Sequence, residues 1–318
     1  MNATEILIIA AQLIGGFVLL FFGGNWLVDG GVALARRFRI SPLVIGMTIV
    51  AFGTSAPELL VSLISAIKGS SGIAIGNVIG SNIANIGLIL GLTALIYPIE
   101  TDNRKVLSNG AVMILASFLL LVFALRAGIS RLEGLTLFIC ILIFTVVSIR
   151  KGRHGQESET DQQNSKSTSL PVAFGLVIIS CAMLAFGADI LVDGATSMAK
   201  ALGVSDKVIG LTIVAFGTSL PELAASVAAA FKKQMDISIG NIIGSNIFNL
   251  LCVIGVSASI KPILFDFVNY RSDFIWMIAF SVSLLLLTSL RKQKGRLGHT
   301  AGILLFLAYA IYAFFLFK

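Results

Sequence analysis

Charge is what this 318-residue chain has least of: Asp, Glu, Lys and Arg together make up 12% of it. A soluble domain would carry about a quarter, so a water-exposed globule is excluded. Histidine (2 residues) and cysteine (3) are nearly as scarce. Cys140, Cys181 and Cys252 lie inside apolar runs without metal-ligand spacing, which marks them as buried, inert thiols. His154 and His299 stand apart at loop positions. With neither a nucleophile–base pair nor a histidine cluster, the pattern argues against an enzyme. The N-terminal stretch MNATEILIIAAQ has no basic segment and no clear cleavage site, so it reads as the start of a membrane span rather than a signal peptide.

What the chain does have is apolar length. It is 57% hydrophobic, with a mean hydropathy of +0.97. Residues 6–28 and 69–99 carry no charge, and each run exceeds the roughly 20 residues that cross a bilayer as helix. Lipid offers the backbone no hydrogen-bond partner, so such runs must be helical. The fold expected is an all-α integral membrane protein with ten transmembrane helices. They fall near 5–34, 42–67, 71–97, 106–125, 131–149, 171–199, 207–231, 236–260, 272–290 and 297–317. A polar stretch rich in Gln, Ser and Thr, 151–169, reads as a linker. It divides a first five-helix repeat, 1–150, from a second, 170–318.

The net charge of +7 belongs to this topology and not to nucleic acid, because the 23 basic residues lie between apolar runs. With the N-terminus outside, 15 basic residues fall in inside loops and 8 in outside segments. Basic loops stay cytoplasmic, so both termini are expected outside and the linker inside a plasma (inner) membrane.

Two segments repeat. Residues 44–62 read VIGMTIVAFGTSAPELLVS and residues 208–226 read VIGLTIVAFGTSLPELAAS, identical at 15 of 19 positions with an offset of 164. At the same offset, IAIGNVIGSNIANI at 73–86 matches ISIGNIIGSNIFNL at 237–250. Five helices separate equivalent points. An odd number turns the second copy upside down, and such inverted repeats build secondary transporters with their substrate at the membrane midplane.

The polar residues fall where such a site would be. Glu58 and Glu222 are the acidic residues deep inside expected spans, and an ionised carboxylate there usually marks an ion pathway. Each sits in G-T-S-x-P-E. Pro57 lacks an N–H and its ring clashes with the Gly53 carbonyl; Pro221 does the same to Gly217. The helix should kink there and free carbonyls near Ala51 to Gly53 and Ala215 to Gly217. Thr54 and Glu58 share a face, as do Thr218 and Glu222. In the next helix of each half, G-S-N-I-x-N places Ser81 with Asn85 and Ser245 with Asn249 on one face. These four read as ion ligands or their direct support, whereas Asn82 and Asn246 are off that face and read as structural. Carboxylate, amide, hydroxyl and carbonyl oxygens without thiolate or imidazole select hard cations, and flexible kinked helices suit Ca2+ better than Mg2+. Asp29 and Asp193, in the repeated LVDG, lie near helix ends and read as interfacial or structural. Asp189 is matched by Asn25 and receives no role.

GTSAPE with GSNIAN and GTSLPE with GSNIFN resemble the two alpha repeats of the sodium/calcium exchanger family. Over all ten spans the chain is similar to its compact prokaryotic members. The resemblance implies two inverted five-helix repeats with cation sites between helices 2, 3, 7 and 8. It implies Glu58 and Glu222 at the centre, with Thr54, Ser55, Ser81 and Asn85 from one half and Thr218, Ser219, Ser245 and Asn249 from the other. The carbonyls of Ala51 and Ala215 would complete the outer sites. It further implies exchange of three Na+ for one Ca2+ by alternating access, these ions being cargo and not cofactors. The partners are thus two ions and the lipid bilayer, with no oligomeric state specified.

One departure is Asn249, where some archaeal and the potassium-dependent members have Asp. Two carboxylates in place of three argue against potassium dependence. The alternatives are a Ca2+/H+ exchanger, whose pattern resembles one with Asn at the position of Thr54 and no proline before the glutamate, and a cation channel. The paired GTSxPE favours sodium coupling, and the pseudo-symmetry favours alternating access.

Overall fold

The computed structural model describes residues 3–100, 102–126, 128–154, 168–203, 215–289 and 296–316. Its helices are α1 (Ala3–Phe38), α2 (Pro42–Thr54), α3 (Ala56–Ile67), α4 (Ser71–Ile96), α5 (Asn103–Ala124) and α6 (Arg131–His154) in the first half. The second half holds α7 (Leu170–Ala201), a short turn Ala215–Gly217, α8 (Leu220–Phe231), α9 (Met235–Ile260), α10 (Arg271–Ser289) and α11 (His299–Leu316). Among the described residues eight helices are long and apolar enough to cross a membrane. The pair α2 and α3, bent by 47°, makes a ninth span. Helix α8 is the described end of the remaining expected span. The start of that span (residues 207–214), most of the linker and the chain's last two residues lie outside the described residues.

The sequence explains the layering. Helices α4 and α9 bury 72% and 94% of their most apolar windows, against 17% to 33% for the other long spans. These two carry the Gly, Ser and Asn motifs, whose small side chains let neighbours approach closely. A β-carbon on Gly240 would lie 2.5 Å from the Leu43 carbonyl oxygen, and one on Gly244 2.5 Å from the Met47 α-carbon, so α2 packs directly on α9. The outer helices present Leu7, Phe17, Leu132, Ile178 and similar side chains outward, as a lipid-facing surface requires. Helices α1 and α7 cross at Gly16 and Gly187, where a β-carbon on Gly16 would meet the Gly187 carbonyl oxygen at 2.8 Å.

Besides helices, the all-α chain forms two very short antiparallel strand pairs. Strand β1 (Ile99–Glu100) pairs with β4 (Arg296–Leu297), and β2 (Gly128–Ile129) with β3 (Ile263–Leu264). Strands β1 and β3 are repeat equivalents, 164 residues apart, so each half lends a strand to the other. The repeat reaches the backbone too. Arg39 (φ 54°) and Gly203 (φ 81°) end equivalent helices in the left-handed region, as do Gly69 (φ 79°) and Lys233 (φ 57°).

Three expectations change. The fifth span continues to His154 instead of stopping near 149, because Gly152 is buried against Val44 and Ile40. The first span continues to Phe38. The break before Glu58 is confined to Ser55, and the Ala51 carbonyl is not left wholly free: it accepts the Ser55 N–H at 2.9 Å. Proline removes the bond to Gly53, but its influence reaches only that turn. A carbonyl carries two lone pairs, so the Ala51 oxygen retains capacity for a further contact.

Candidate cation site

Each glutamate sits in the first turn of the helix that restarts after the break, with proline just before it. Proline suits that position, since its missing N–H would have no helical partner there. The result is a carboxylate at membrane depth beside an interrupted backbone. Glu58 is 1% exposed and Glu222 is 0% exposed. Neither takes part in a salt bridge among the described residues. Ser55, three residues before Glu58, donates a hydrogen bond to Glu222 Oε1, which brings the two broken segments to one site.

Of the first-half candidates, Thr54, Ser55, Ser81 and Asn85 are all buried, and Thr54 and Ser55 are the ones that contact the second half's candidates. Ser55 donates to Glu222 Oε1 at 2.9 Å, across the two halves. Thr54 Oγ1 lies 3.3 Å from the Ala51 carbonyl oxygen, 3.1 Å from Asn241 Oδ1 and 3.4 Å from Ser245 Oγ. Of the second-half candidates, Ser219, Ser245 and Asn249 are also buried and Thr218 is half-buried. Ser245 Oγ approaches Glu222 Oε1 at 3.5 Å. Ala215 opens the short turn that precedes the second break. Helices α4 and α9 widen into a π-helical turn at Asn85–Leu90 and Asn249–Val253, each beginning at a candidate asparagine. Such turns are frequent at functional sites because they free backbone groups and re-aim side chains.

Buried polar atoms normally find partners. Among the described residues, both oxygens of Glu58, Glu222 Oε2, Thr218 Oγ1, Ser219 Oγ, Asn85 Oδ1 and both amide atoms of Asn249 have none. Apart from one amide nitrogen and two hydroxyls that can turn, these are oxygen acceptors. A cation is the ligand that satisfies many oxygens at once and offsets two buried carboxylates. Among the described residues no group of three or more His, Cys, Asp or Glu side chains is placed to hold a metal ion, so any site here rests on two carboxylates and neutral oxygens.

The asparagines expected to be structural make neighbourly bonds. Asn246 Oδ1 accepts from Asn85 at 3.1 Å, and Asn82 Nδ2 points to Met277 Sδ at 3.7 Å. Sequence reasoning missed Asn77 and Asn241, which bond the backbone of the two glutamates. The signal was present: both stand in the repeated I-G-N. LVDG is also partly explained, since Asp29 pairs with Lys232 at 2.6 Å near a helix end.

Comparison with known proteins follows this geometry. The family described as sodium/calcium exchanger protein matches residues 8–150 and 172–318. The chain is 35% identical over 306 residues to the inner membrane protein YrbG of Escherichia coli, covering 94% of each. It is 32% identical over 342 residues to the sodium/calcium exchanger MaX1 of Methanosarcina acetivorans, covering 96% of this chain and 98% of that one. A solved structure of the sodium–calcium exchanger NCX_Mj, soaked with 10 mM Na+ and no Ca2+, superposes with a TM-score of 0.83 at 35% identity. It covers 96% of this chain and 98% of the other. With its repeated motifs, an interruption of the helix before each buried glutamate, and a family match that runs through both halves, the chain belongs to the sodium/calcium exchanger family.

Proposed function

We propose that the chain exchanges Na+ for Ca2+ across the membrane by alternating access, at a site held by Glu58 and Glu222. What supports this reading is two buried carboxylates without ion-pair partners among the described residues, partnerless oxygens on both repeats, and the Ser55–Glu222 and Thr54–Ser245 contacts that join the two halves. Thr54, Ser55, Ser81 and Asn85, with Thr218, Ser219, Ser245 and Asn249, are the proposed neutral ligands, and the Ala51 and Ala215 carbonyls complete them. A bound Ca2+ brings the two carboxylates near neutrality, which favours crossing a low-dielectric core. An empty, ionised pair is disfavoured there by several kcal/mol, since uncompensated charges lose their hydration. The protein therefore trades ions and does not leak them, performs no covalent chemistry, and needs no cofactor.

In this reading 1–150 and 170–318 act as two inverted units that share the site, joined by 151–169. They lie in the inner (plasma) membrane with both termini outside and the linker cytoplasmic. The basis is the asymmetry of 15 basic residues against 8. A cysteine at Ser165 should then be labelled only from the cytoplasmic side and one at Lys318 only from outside.

The test is Ca2+ efflux from proteoliposomes at fixed pH, into buffer with or without external Na+. Efflux that requires Na+ is expected. Equal efflux without Na+ or Ca2+ outside would refute obligatory exchange and favour a channel. Efflux restored by an inward proton gradient alone would promote Ca2+/H+ exchange.

A further inference from the structure

We propose that Asn77 and Asn241 are positioning residues of the exchange site. Each fixes the glutamate of its own half through its amide nitrogen and orients the threonine of the opposite half through its amide oxygen. The proposal rests on the reading of Glu58 and Glu222 as the shared cation site.

The nitrogen side is built twice. Asn77 Nδ2 donates to the Glu58 carbonyl at 3.2 Å and to Ser62 Oγ at 2.9 Å. Asn241 Nδ2 donates to the Glu222 carbonyl at 3.4 Å and to Ser226 Oγ at 3.0 Å. Every partner in one set is the repeat equivalent of its partner in the other, 164 residues away. These bonds pin the peptide of each glutamate to the neighbouring helix, α3 to α4 and α8 to α9, and so set the height of each carboxylate. Asn241 and Ser226 are fully buried, at 1% and 0% exposure, so the clamp works where a lost bond is costly.

The oxygen side follows from the nitrogen side. A backbone carbonyl only accepts, so the face of the Asn241 amide toward Glu222 must be NH2, and the opposite face must be oxygen. That oxygen accepts from Thr54 Oγ1 at 3.1 Å. A hydroxyl that ligates a cation offers a lone pair and must place its single proton elsewhere. Asn241 Oδ1 takes that proton. Without it, the acceptors left in reach are the Ala51 carbonyl at 3.3 Å and the Ser245 hydroxyl at 3.4 Å, both proposed ligands themselves. The asparagine thus keeps both the Thr54 hydroxyl and the Ala51 carbonyl available to the ion, as outer groups do for metal ligands generally.

Repeat symmetry adds a second half to the argument. The counterpart of the Thr54–Asn241 bond is Thr218 to Asn77. Among the described residues Thr218 Oγ1 has no hydrogen-bond partner, so that bond is open while its twin is closed. An exchanger built from inverted repeats visits the arrangement in which the two halves trade roles. The Thr218–Asn77 bond forms in that arrangement.

The experiment is a pair of double-mutant cycles on the full chain in proteoliposomes, reading the half-saturating Ca2+ concentration and maximal rate of Na+-dependent uptake. Asn241→Leu and Thr54→Val remove the polar groups at nearly constant volume. Asn241→Leu should raise half-saturation roughly tenfold, on the scale of lost outer-group support at metal sites. Thr54→Val added to it should change the value by less than about twofold, because the hydroxyl is already misdirected. Asn77→Leu with Thr218→Val should show the same coupling, although this structure holds no bond between them. Multiplicative, independent effects at Thr54 and Asn241 overturn the proposal, and independence at Thr218 and Asn77 overturns its alternating half. If a leucine variant does not fold, Asn→Ser at the same position retains polarity without the amide's span and is read in the same cycle. Wild-type protein that shows no Na+-dependent uptake would defeat the proposed function instead, which separates the two failures.

Discussion

Around Glu222 the site is furnished with donors, and around Glu58 it is bare. Ser55 donates to Glu222, whereas its repeat equivalent Ser219 has no partner and neither oxygen of Glu58 is bonded. Asn85 reaches Asn246, but Asn249 reaches nothing and Asn82 Oδ1 stands alone. The imbalance extends outward. Lys232 holds Asp29 at 2.6 Å, while among the described residues no ion pair joins the equivalents Lys68 and Asp193. Helix α8 packs Ala224 against Gly24 of α1. The matching face of α3 leaves Leu60 and Ile64 58% and 48% exposed. Two segments identical at 15 of 19 positions therefore keep different company. Ser55 and Ser219, like Glu58 and Glu222, are identical residues in unequal surroundings, so that part of the difference is one of arrangement, whereas Leu60 and Ala224 already differ in sequence. A chain whose halves can trade surroundings has two near-equivalent states, which is what alternating access requires.

The largest effect should ignore this comparison. Glu58→Gln and Glu222→Gln should each reduce Ca2+ transport by roughly a hundredfold or more, on the scale of about 3 kcal/mol for a buried charge deprived of its partner. Both variants should still insert and migrate as folded protein. Uptake by purified protein in proteoliposomes measures this, and near-normal exchange in either would remove that carboxylate from the site.

Ion-free stability should expose the imbalance directly. Ser55→Ala removes a hydrogen bond to a charged acceptor, which contributes about 1.5–3 kcal/mol. Ser219→Ala removes a hydroxyl that has no partner in this arrangement. Thermal unfolding in detergent without Na+ or Ca2+ should show a clear drop for the first and little change for the second. Equal drops would show that both arrangements are equally populated.

The ion pair should give a smaller, signed effect. Its side chains are 27% and 56% exposed, so its contribution is under about 1 kcal/mol. Lys232→Gln should weaken closure where α8 meets α1, and Lys68→Gln should weaken closure at the opposite end. Half-saturation for Na+ applied to one face should shift in opposite directions, by up to about fivefold. Shifts in the same direction would reduce both lysines to surface charges.

The smallest effect concerns the helix ends. Lys233 holds the left-handed backbone for which its equivalent, Gly69, needs no side-chain adjustment. Lys233→Gly should stabilise the protein by about 1 kcal/mol at most, read as a rise in melting temperature. Gly69→Lys should lower it by a similar amount.

Much of this was legible in one dimension. Apolar run lengths gave the spans, because lipid permits little else. The offset of 164 gave the inversion, because five helices is an odd number. Proline before glutamate marked the break, although the Ala51 carbonyl kept its Ser55 partner because proline disturbs only one turn. Asn77 and Asn241 passed unnoticed, since an asparagine in a glycine-rich helix looks the same whether it packs or clamps. Only its distance to the Glu58 or Glu222 carbonyl tells which.

By itself, then, the sequence determined that the chain spans a membrane, that its halves are inverted copies, and that each copy carries one carboxylate among hydroxyl and amide side chains. Periodicity, charge and repetition are local properties, and each is written along the chain. Only the tertiary structure decided which half's serine holds which glutamate, which lysine meets which aspartate, and which threonine is engaged. The two repeats supply nearly identical candidates for every one of those bonds. Choosing between them is a property of packing, in which one side of a pseudo-symmetric pair is closed while the other is open.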